Sequence, residues 1–138
     1  MRFRAIIFDI DGTLVDSNEA HVEAWHLAFA AHGHDVPHEG IRVEMGKGGD
    51  KLVPSVLGDV LEKRQGDSLR DRQSKEFLAI AKRTRLKAFP GAREIFDALK
   101  ARGVRTALAT SSSREHLEAL GRSADLDLTS LGETLVNA

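Results

Sequence analysis

Two carboxylates separated by one residue stand where an apolar segment near the start of the chain ends. The stretch "IIFDIDGTLVDS", residues 6–17, runs from bulky apolar side chains into Asp9 and Asp11 and then into Gly12. Because an unpaired charge is costly to bury, neither carboxylate is expected in the core beside this segment. Aspartates also favour turns, so a purely structural role stays open. A functional role predicts a ligand at this point that attracts negative charge.

A second set of polar groups follows a second apolar segment. Thr110 and Ser111 come after "VRTALA", residues 104–109, and open a serine run that also suits the start of a helix. Ligand sites in open α/β sheets lie beyond the carboxyl ends of the strands, which would bring these hydroxyls beside Asp9 and Asp11. Carboxylates, a hydroxyl and backbone amides before a helix together favour a phosphate group and a divalent cation. Mg²⁺ fits this set of oxygen ligands.

Strands that alternate with helices must position these groups. Residues 4–9 read as a buried strand, and Asp16 with Glu19 forms a capping box for a helix that ends near Gly33. Further helices are predicted from Asp50, over 59–87 with a break at Gly66, and from Pro90 to Gly103. A last helix is predicted from Ser112, with Ser112 and Glu115 as its capping box. Two further strands are predicted, over 104–109 and 133–137. This order predicts an α/β protein with a parallel sheet.

The predicted elements divide the chain into two parts. A helical block over 17–87 interrupts an α/β core formed by 1–16 and 88–138. Trp25 lies on the apolar face of the first helix of the block, where a place in the core is favoured over a wall of a ligand site.

Composition limits the classes of function. The 138 residues are 41% hydrophobic and 30% charged with a net charge of −1, which is typical of a folded domain and indicates neither nucleic acid nor a membrane as partner. The basic stretch 82–87 is interpreted as a solvated helix end. There is no cysteine and no apolar run of about 20 residues, so we expect a cytoplasmic protein. The sequence indicates no oligomeric state.

Two segments that contain these polar residues resemble the motifs of a known family. "FDIDGTLVDS" resembles the first motif of the haloacid dehalogenase superfamily, in its phosphatase and β-phosphoglucomutase-like branch, and "ALATSSS" resembles the second. The helical block resembles the cap that follows the first motif in that family. The resemblance implies a Rossmann-like parallel sheet with an inserted α-helical cap. It also implies Mg²⁺-dependent phosphoryl transfer from a small phosphorylated metabolite.

The resemblance assigns a role to each matched residue. Asp9 would be the nucleophile that forms an aspartyl-phosphate and would also bind Mg²⁺. Asp11 would be the general acid and base, and its backbone carbonyl would bind the metal. Thr110 and the amide of Ser111 would hold the oxygens of the transferring phosphoryl group.

The cap offers three further candidates. "EAHVEAW" resembles the start of the first cap helix, where His21 would approach the general acid, although a histidine on an amphipathic helix is more often only a polar-face residue. "MGKGGDKL" falls where the family has its substrate-specificity loop, with Lys47 and Lys51 either as contacts to an anion or as solvated lysines.

The family has two more motifs, a Lys or Arg after its third strand and an acidic pair after its fourth. No lysine follows Lys100, and Arg114 and Arg122 fall in or near a helix, so we expect this chain to be truncated before those motifs. The sheet would then be incomplete, and its first strand would form an unpaired apolar edge. A phosphatase, a sugar-phosphate mutase, and an inactive fragment or binding protein all remain open at this point.

Overall fold

The computed structural model describes residues 3–131 and the backbone of residues 134–137. They form two compact units, one from Asn18–Arg83 and one from the segments before and after it. In chain order the elements are β1 (Ala5–Phe8), β2 (Val15–Asp16), α1 (Asn18–Ala31), α2 (His38–Arg42), α3 (Gly49–Leu57), α4 (Asp59–Arg83), β3 (Lys87–Ala88), α5 (Glu94–Ala101), β4 (Arg105–Thr110), α6 (Arg114–Ala124), α7 (Leu128–Leu131) and β5 (Thr134–Asn137). The unit that contains the sheet is called the core unit, and Asn18–Arg83 is called the helical unit.

The core unit contains a parallel sheet in the order β1-β4-β5. The predicted third strand of this sheet is confirmed as β5, whereas Glu133, the first residue of that prediction, lies outside the described residues. Among the described strands β1 is at one edge of the sheet, and its Ile7 is 67% exposed. The unpaired apolar edge expected from the sequence is therefore present in this part of the chain.

A short antiparallel ribbon follows the first strand. Val15 pairs with Ala88, and Asp16 pairs with Lys87. The predicted capping box of Asp16 and Glu19 is wrong, because Asp16 belongs to β2 and α1 begins two residues later at Asn18. The ribbon fixes the path of the chain where it leaves the core unit after β1 and returns to it before α5.

Two helices of the core unit begin later than the sequence predicts. The helix expected from Pro90 begins at Glu94, because Gly91 has a φ of +84°, a conformation that a helix does not contain. The helix expected to be capped by Ser112 has Ser113 as its N-cap, where the hydroxyl accepts a hydrogen bond from the His116 amide at 3.3 Å. The hydroxyl of Ser112 is therefore available for another role.

In the helical unit, α1 and α3 pack against the long helix α4. The core consists of buried apolar side chains, namely Val22, Trp25, Ala28, Phe29, Val36, Ile41, Leu52, Val53 and Leu69. The rings of Trp25 and Phe29 stack with their centroids 5.5 Å apart. Trp25 thus belongs to the core of this unit, as the sequence favours.

Helix α4 runs without interruption through Gly66, so the predicted break at this glycine is wrong. The carboxylate of Glu62 occupies the space where a Cβ of residue 66 would lie, and it forms an ion pair with Arg70 at 2.8 Å. The glycine therefore makes room for an ion pair over the surface of the helix. Although α4 has 25 residues, neither it nor any other helix in the described ranges has the length and apolar character of a membrane span.

Candidate active site

The ends of two neighbouring parallel strands define the candidate site. Phe8, the last residue of β1, is opposite Leu108 in β4, so Asp9 and Asp11 leave the sheet at the edge where Thr110 ends β4. The structure thus brings both predicted carboxylates and the predicted hydroxyl to the same edge of the sheet. This is the carboxyl edge, where parallel α/β sheets bind ligands.

The carboxylate of Asp11 is held by one serine hydroxyl on each of its oxygens. Ser17 donates from Oγ to Oδ1 at 2.6 Å, and Ser112 donates from Oγ to Oδ2 at 3.3 Å. Ser17 is fully buried, which fixes the first of these donors. A hydroxyl both donates and accepts, so this pair of serines can keep Asp11 in place whether or not it carries a proton.

The carboxylate of Asp9 is exposed and has a different environment. Thr13 donates from Oγ1 to Oδ2 of Asp9 at 3.2 Å. Within the described ranges no hydrogen bond reaches Oδ1 of Asp9. One oxygen is therefore oriented by the turn after β1, and the other is accessible to a ligand.

The end of β4 supplies a hydroxyl and the beginning of a helix. Thr110 is 6% exposed, and its Oγ1 accepts a hydrogen bond from the Ser112 amide at 3.0 Å. Its hydroxyl proton remains to be donated, since a hydroxyl has one donor and two acceptor positions. Ser111 is exposed, and α6 begins three residues after it with Ser113 as N-cap. The amino end of α6 therefore follows Thr110 and Ser111 directly in the sequence. The free backbone amides at the amino end of a helix favour an anion.

The other three predicted residues belong to the helical unit. His21 stacks on Phe77, with ring centroids 4.0 Å apart and an angle of 7° between the rings, and its Nδ1 lies 3.2 Å from Nε2 of Gln73. The stacking and this hydrogen bond together give the His21 ring a defined orientation within the helical unit.

The two lysines of the predicted specificity loop have acidic partners nearby in the chain. Lys47 forms an ion pair with Glu44 and also donates to the Ser55 hydroxyl at 3.2 Å. The ion pair lowers the pKa of Glu44 through its hydrogen bond from Lys47. Lys51 lies 3.4 Å from the carboxylate of Asp50, and 75% of its side chain is exposed. Lys51 is thus the more accessible of the two positive charges.

The donor set at the carboxyl edge fits Mg²⁺. In the part of the chain that the structure describes, no group of three His, Cys, Asp or Glu side chains is placed to hold a metal ion. Mg²⁺ does not need such a group, because it commonly binds through one or two carboxylates, phosphate oxygens and water. Asp9 supplies an exposed carboxylate, and the backbone carbonyl of Asp11 lies two residues away in the chain.

Sequence reasoning missed three hydroxyl side chains of the site, namely Thr13, Ser17 and Ser112. Thr13 and Ser17 are part of the quoted first segment, but nothing in the spacing shows which carboxylate each would contact. Ser112 was assigned to the helix cap, a position that the structure gives to Ser113. The run 111–113 contains more serines than one helix cap uses, and this excess is the signal that could have indicated a second role for Ser112.

Comparison with known proteins identifies the family. A model of the haloacid dehalogenase-like hydrolases matches residues 3–134, so the chain belongs to this family. It is 31% identical to protein CbbY of Rhodobacter capsulatus over 126 residues and 32% identical to phosphoglycolate phosphatase of Nitrosospira multiformis over 144 residues. A hydrolase from Pseudomonas syringae has a similar structure, with a TM-score of 0.82 at 24% identity over 96% of this chain.

The matches cover nearly all of this chain but only part of the related proteins. The alignment with CbbY covers 87% of this chain and 56% of CbbY. The alignment with phosphoglycolate phosphatase covers 96% of this chain and 62% of that enzyme. The Pseudomonas syringae structure is covered over 60% of its length. The chain thus spans little more than half of the relatives that it matches.

Proposed function

We propose that the site at the carboxyl edge belongs to a Mg²⁺-dependent phosphatase that hydrolyses a small phosphomonoester through an aspartyl-phosphate. The observation that carries this proposal is the meeting of two strand ends, where Asp9 and Asp11 follow β1 and Ser112, after β4, donates a hydrogen bond to Asp11. Membership in the haloacid dehalogenase-like hydrolases supports the same chemistry.

Asp9 is the nucleophile in this proposal. Its Oδ2 is oriented by Thr13, which leaves Oδ1 directed to a ligand. Oδ1 attacks phosphorus while the bond from phosphorus to the ester oxygen breaks, and an aspartyl-phosphate forms. An exposed carboxylate beside a strand end suits this role, because the phosphoryl group must reach it from solvent.

Asp11 moves the proton in both halves of the reaction. It first gives a proton to the ester oxygen that leaves as an alcohol. It then accepts a proton from a water molecule whose oxygen attacks phosphorus, and the bond between phosphorus and Asp9 breaks to release inorganic phosphate. Ser17 and Ser112 hold both oxygens of Asp11, so the same carboxyl group stays in place through both steps.

Thr110 and Ser111 hold the phosphoryl oxygens. Oγ1 of Thr110 accepts the Ser112 amide, so its proton is available to a phosphoryl oxygen, and the Ser111 amide lies beside it in the chain. The amino end of α6 adds a favourable dipole. Phosphoryl transfer depends mainly on such positioning and charge stabilisation, since the developing charge is spread over the oxygens.

Asp9 and the backbone carbonyl of Asp11 would hold Mg²⁺. The cation would offset the repulsion between a phosphate and the two carboxylates and would stabilise charge on the phosphoryl oxygens. With the cation bound, Asp9 would serve as the nucleophile and Asp11 as the proton donor, a division of roles that catalysis by two carboxyl groups requires.

The substrate class is a small phosphorylated metabolite. The relative from Nitrosospira multiformis is a phosphoglycolate phosphatase by name, which supports a phosphomonoester of this size. The proposal includes His21, Lys47 and Lys51 as substrate contacts of the helical unit. The stacking of His21 on Phe77 gives its ring a defined orientation, and Lys51 has a largely exposed ammonium group.

Hydrolysis of p-nitrophenyl phosphate tests the proposal. In a protein that carries this site together with the two later motifs of the family, we expect turnover that requires Mg²⁺, is lost on addition of EDTA and falls at least about a thousandfold in Asp9→Asn. Asp16→Asn is the matched control, because Asp16 is also an exposed aspartate of this segment but belongs to the β2–β3 ribbon. Wild-type turnover that survives in Asp9→Asn would reject this residue as nucleophile.

A further inference from the structure

A glutamine interrupts the buried apolar stripe of helix α4. In the second half of this helix the buried residues include Leu69, Gln73, Phe77 and Ile80. They follow one another at intervals of three or four positions, so they share one face of the helix. Gln73 is 8% exposed, whereas the other three residues of the stripe are apolar. A polar side chain thus occupies a position where the pattern favours an apolar one.

The amide of Gln73 contacts a ring on a different helix. Burial of an amide group is costly unless it forms a hydrogen bond, and Nε2 of Gln73 lies at hydrogen-bond distance, 3.2 Å, from Nδ1 of His21 in α1. Phe77, one turn further along α4, stacks on the same ring with the centroids 4.0 Å apart. Two successive residues of the stripe therefore contact one imidazole ring, and all three residues belong to the helical unit.

The two contacts restrict different motions of the ring. Stacking on Phe77, with an angle of 7° between the rings, fixes the plane of the His21 imidazole but would let it turn within that plane. A hydrogen bond to Nδ1 prevents that turn, because it holds one edge of the ring against α4. Together they fix the direction in which Nε2 of His21 points.

Packing alone does not require an amide at residue 73. A methionine has an unbranched side chain of similar length and would continue the apolar stripe. His21 is only half-buried, so water can take the place of the amide at its ring. The glutamine is therefore better explained by the orientation of His21 than by the stability of the helical unit.

We propose that Gln73 is a positioning residue that holds His21 in the orientation in which this histidine contacts the substrate. The inference rests on the substrate contact proposed for His21 above. His21 is four residues after Ser17, whose hydroxyl donates to Asp11 at 2.6 Å, so it closely follows in the sequence the segment that holds the proposed general acid. Gln73 touches no substrate and acts through His21.

¹⁵N NMR of the histidine rings tests the contact in the 138-residue chain without requiring turnover. We expect Gln73→Met to shift the Nδ1 resonance of His21 and to change the midpoint of urea denaturation little. Gln65→Met is the matched control, because Gln65 is also a glutamine of α4 and its Oε1 lies 2.7 Å from Nε2 of His34. This control should shift the resonances of His34 and leave those of His21 in place. Gln73→Leu repeats the test with a second apolar side chain, and unchanged His21 resonances in both variants of Gln73 would overturn the proposal.

Kinetics test whether Gln73 acts through His21, in a protein that also carries the two later motifs of the family. We expect Gln73→Met and His21→Asn each to lower kcat/KM for p-nitrophenyl phosphate about three- to tenfold, and Gln65→Met to leave it unchanged. The double variant of Gln73 and His21 should lose no more than about twofold beyond His21→Asn alone, because both changes remove the same contact.

The outcomes separate this inference from the proposed function. Additive losses in the double variant, or a lower urea midpoint with unchanged kcat/KM in Gln73→Met, would overturn the positioning role. Unchanged kcat/KM in His21→Asn would overturn it too, while loss of turnover in Asp9→Asn would leave the phosphatase proposal intact. Turnover that does not depend on Asp9 would instead reject the proposed function.

Discussion

Ser112 donates a hydrogen bond from its Oγ to Oδ2 of Asp11 at 3.3 Å, although the two residues are 101 positions apart in the sequence. This contact joins the segment after β1 to the segment after β4. Together with the Ser17 hydroxyl on Oδ1, it fixes the plane of the Asp11 carboxylate. Placement of the proposed general acid therefore depends on both strand ends.

Removal of the Ser112 hydroxyl should reduce turnover more than stability. We expect Ser112→Ala to lower kcat for p-nitrophenyl phosphate about three- to tenfold with little change in KM, because one hydrogen bond of about 1 kcal/mol that orients Asp11 is lost. Steady-state kinetics with Mg²⁺ measure both constants. Ser130→Ala is the control, since the hydroxyl of this exposed serine donates to the Asp127 carbonyl and belongs to no part of the candidate site. A kcat equal to that of the control would show that Ser112 does not position Asp11.

A methyl group at residue 121 should destabilise the core unit. Gly121 is a buried residue of α6, and a Cβ there would lie 2.7 Å from the carbonyl oxygen of Leu126, so the backbone must shift. We expect Gly121→Ala to lower the free energy of unfolding by about 1–3 kcal/mol, as overpacking does. Urea denaturation followed by circular dichroism measures the change.

Gly40→Ala provides the comparison for this prediction. Gly40 lies in α2, and a Cβ there would make an ordinary contact of 3.7 Å with Pro37. Alanine is favoured over glycine in a helix, so the midpoint of urea denaturation should stay the same or rise. An equal loss of stability in Gly121→Ala and Gly40→Ala would show that the contact with the Leu126 carbonyl is not the cause of the destabilisation.

Arg42 should control the titration of Glu19 at the start of the helical unit. Arg42 donates from Nε and Nη2 to the two carboxylate oxygens of Glu19, each at 2.8 Å, and these hydrogen bonds lower the pKa of Glu19 below its ordinary value. A lowered pKa means that the pair stabilises the folded state above the ordinary glutamate range. The stabilisation is lost as pH falls through the lowered pKa.

Carboxyl ¹³C NMR measures this effect directly. We expect the pKa of Glu19 to rise towards its ordinary value in Arg42→Gln. Arg64→Gln is the matched control, because Arg64 is an exposed arginine of α4 without an ion-pair partner among the described residues. An unchanged pKa of Glu19 in Arg42→Gln would show that the ion pair does not form in solution.

The parallel sheet could be predicted from the sequence because local signals carry it. Apolar runs that end in Asp9 and Thr110 mark two strand ends, and the alternation of strands with helices places those ends at one edge. Long-range hydrogen bonds leave no such local signal. Nothing in the serine run after Thr110 shows that Ser112 reaches Asp11 while Ser113 caps α6.

Helix boundaries were less predictable, because tertiary contacts outweigh small local preferences. A glycine in a helix costs only about 1 kcal/mol, and packing of α4 against α1 and α3 outweighs this cost at Gly66. Asp16 has a suitable type and spacing for a helix cap, but its pairing with Lys87 in the ribbon places it in a strand. In both places the deciding partner is remote in the sequence.

The central claim is that Asp9 accepts a phosphoryl group beside Mg²⁺, and binding of beryllofluoride tests it without requiring turnover. Beryllofluoride mimics the phosphoryl group of an aspartyl-phosphate, so ¹⁹F NMR of a wild-type protein that carries this site together with the two later motifs should show a bound signal that requires Mg²⁺, is weaker in the 138-residue chain and is absent in Asp9→Asn. The Asp16→Asn control should retain the signal. A bound signal of undiminished intensity in Asp9→Asn, or none in the wild type with Mg²⁺, would contradict the claim.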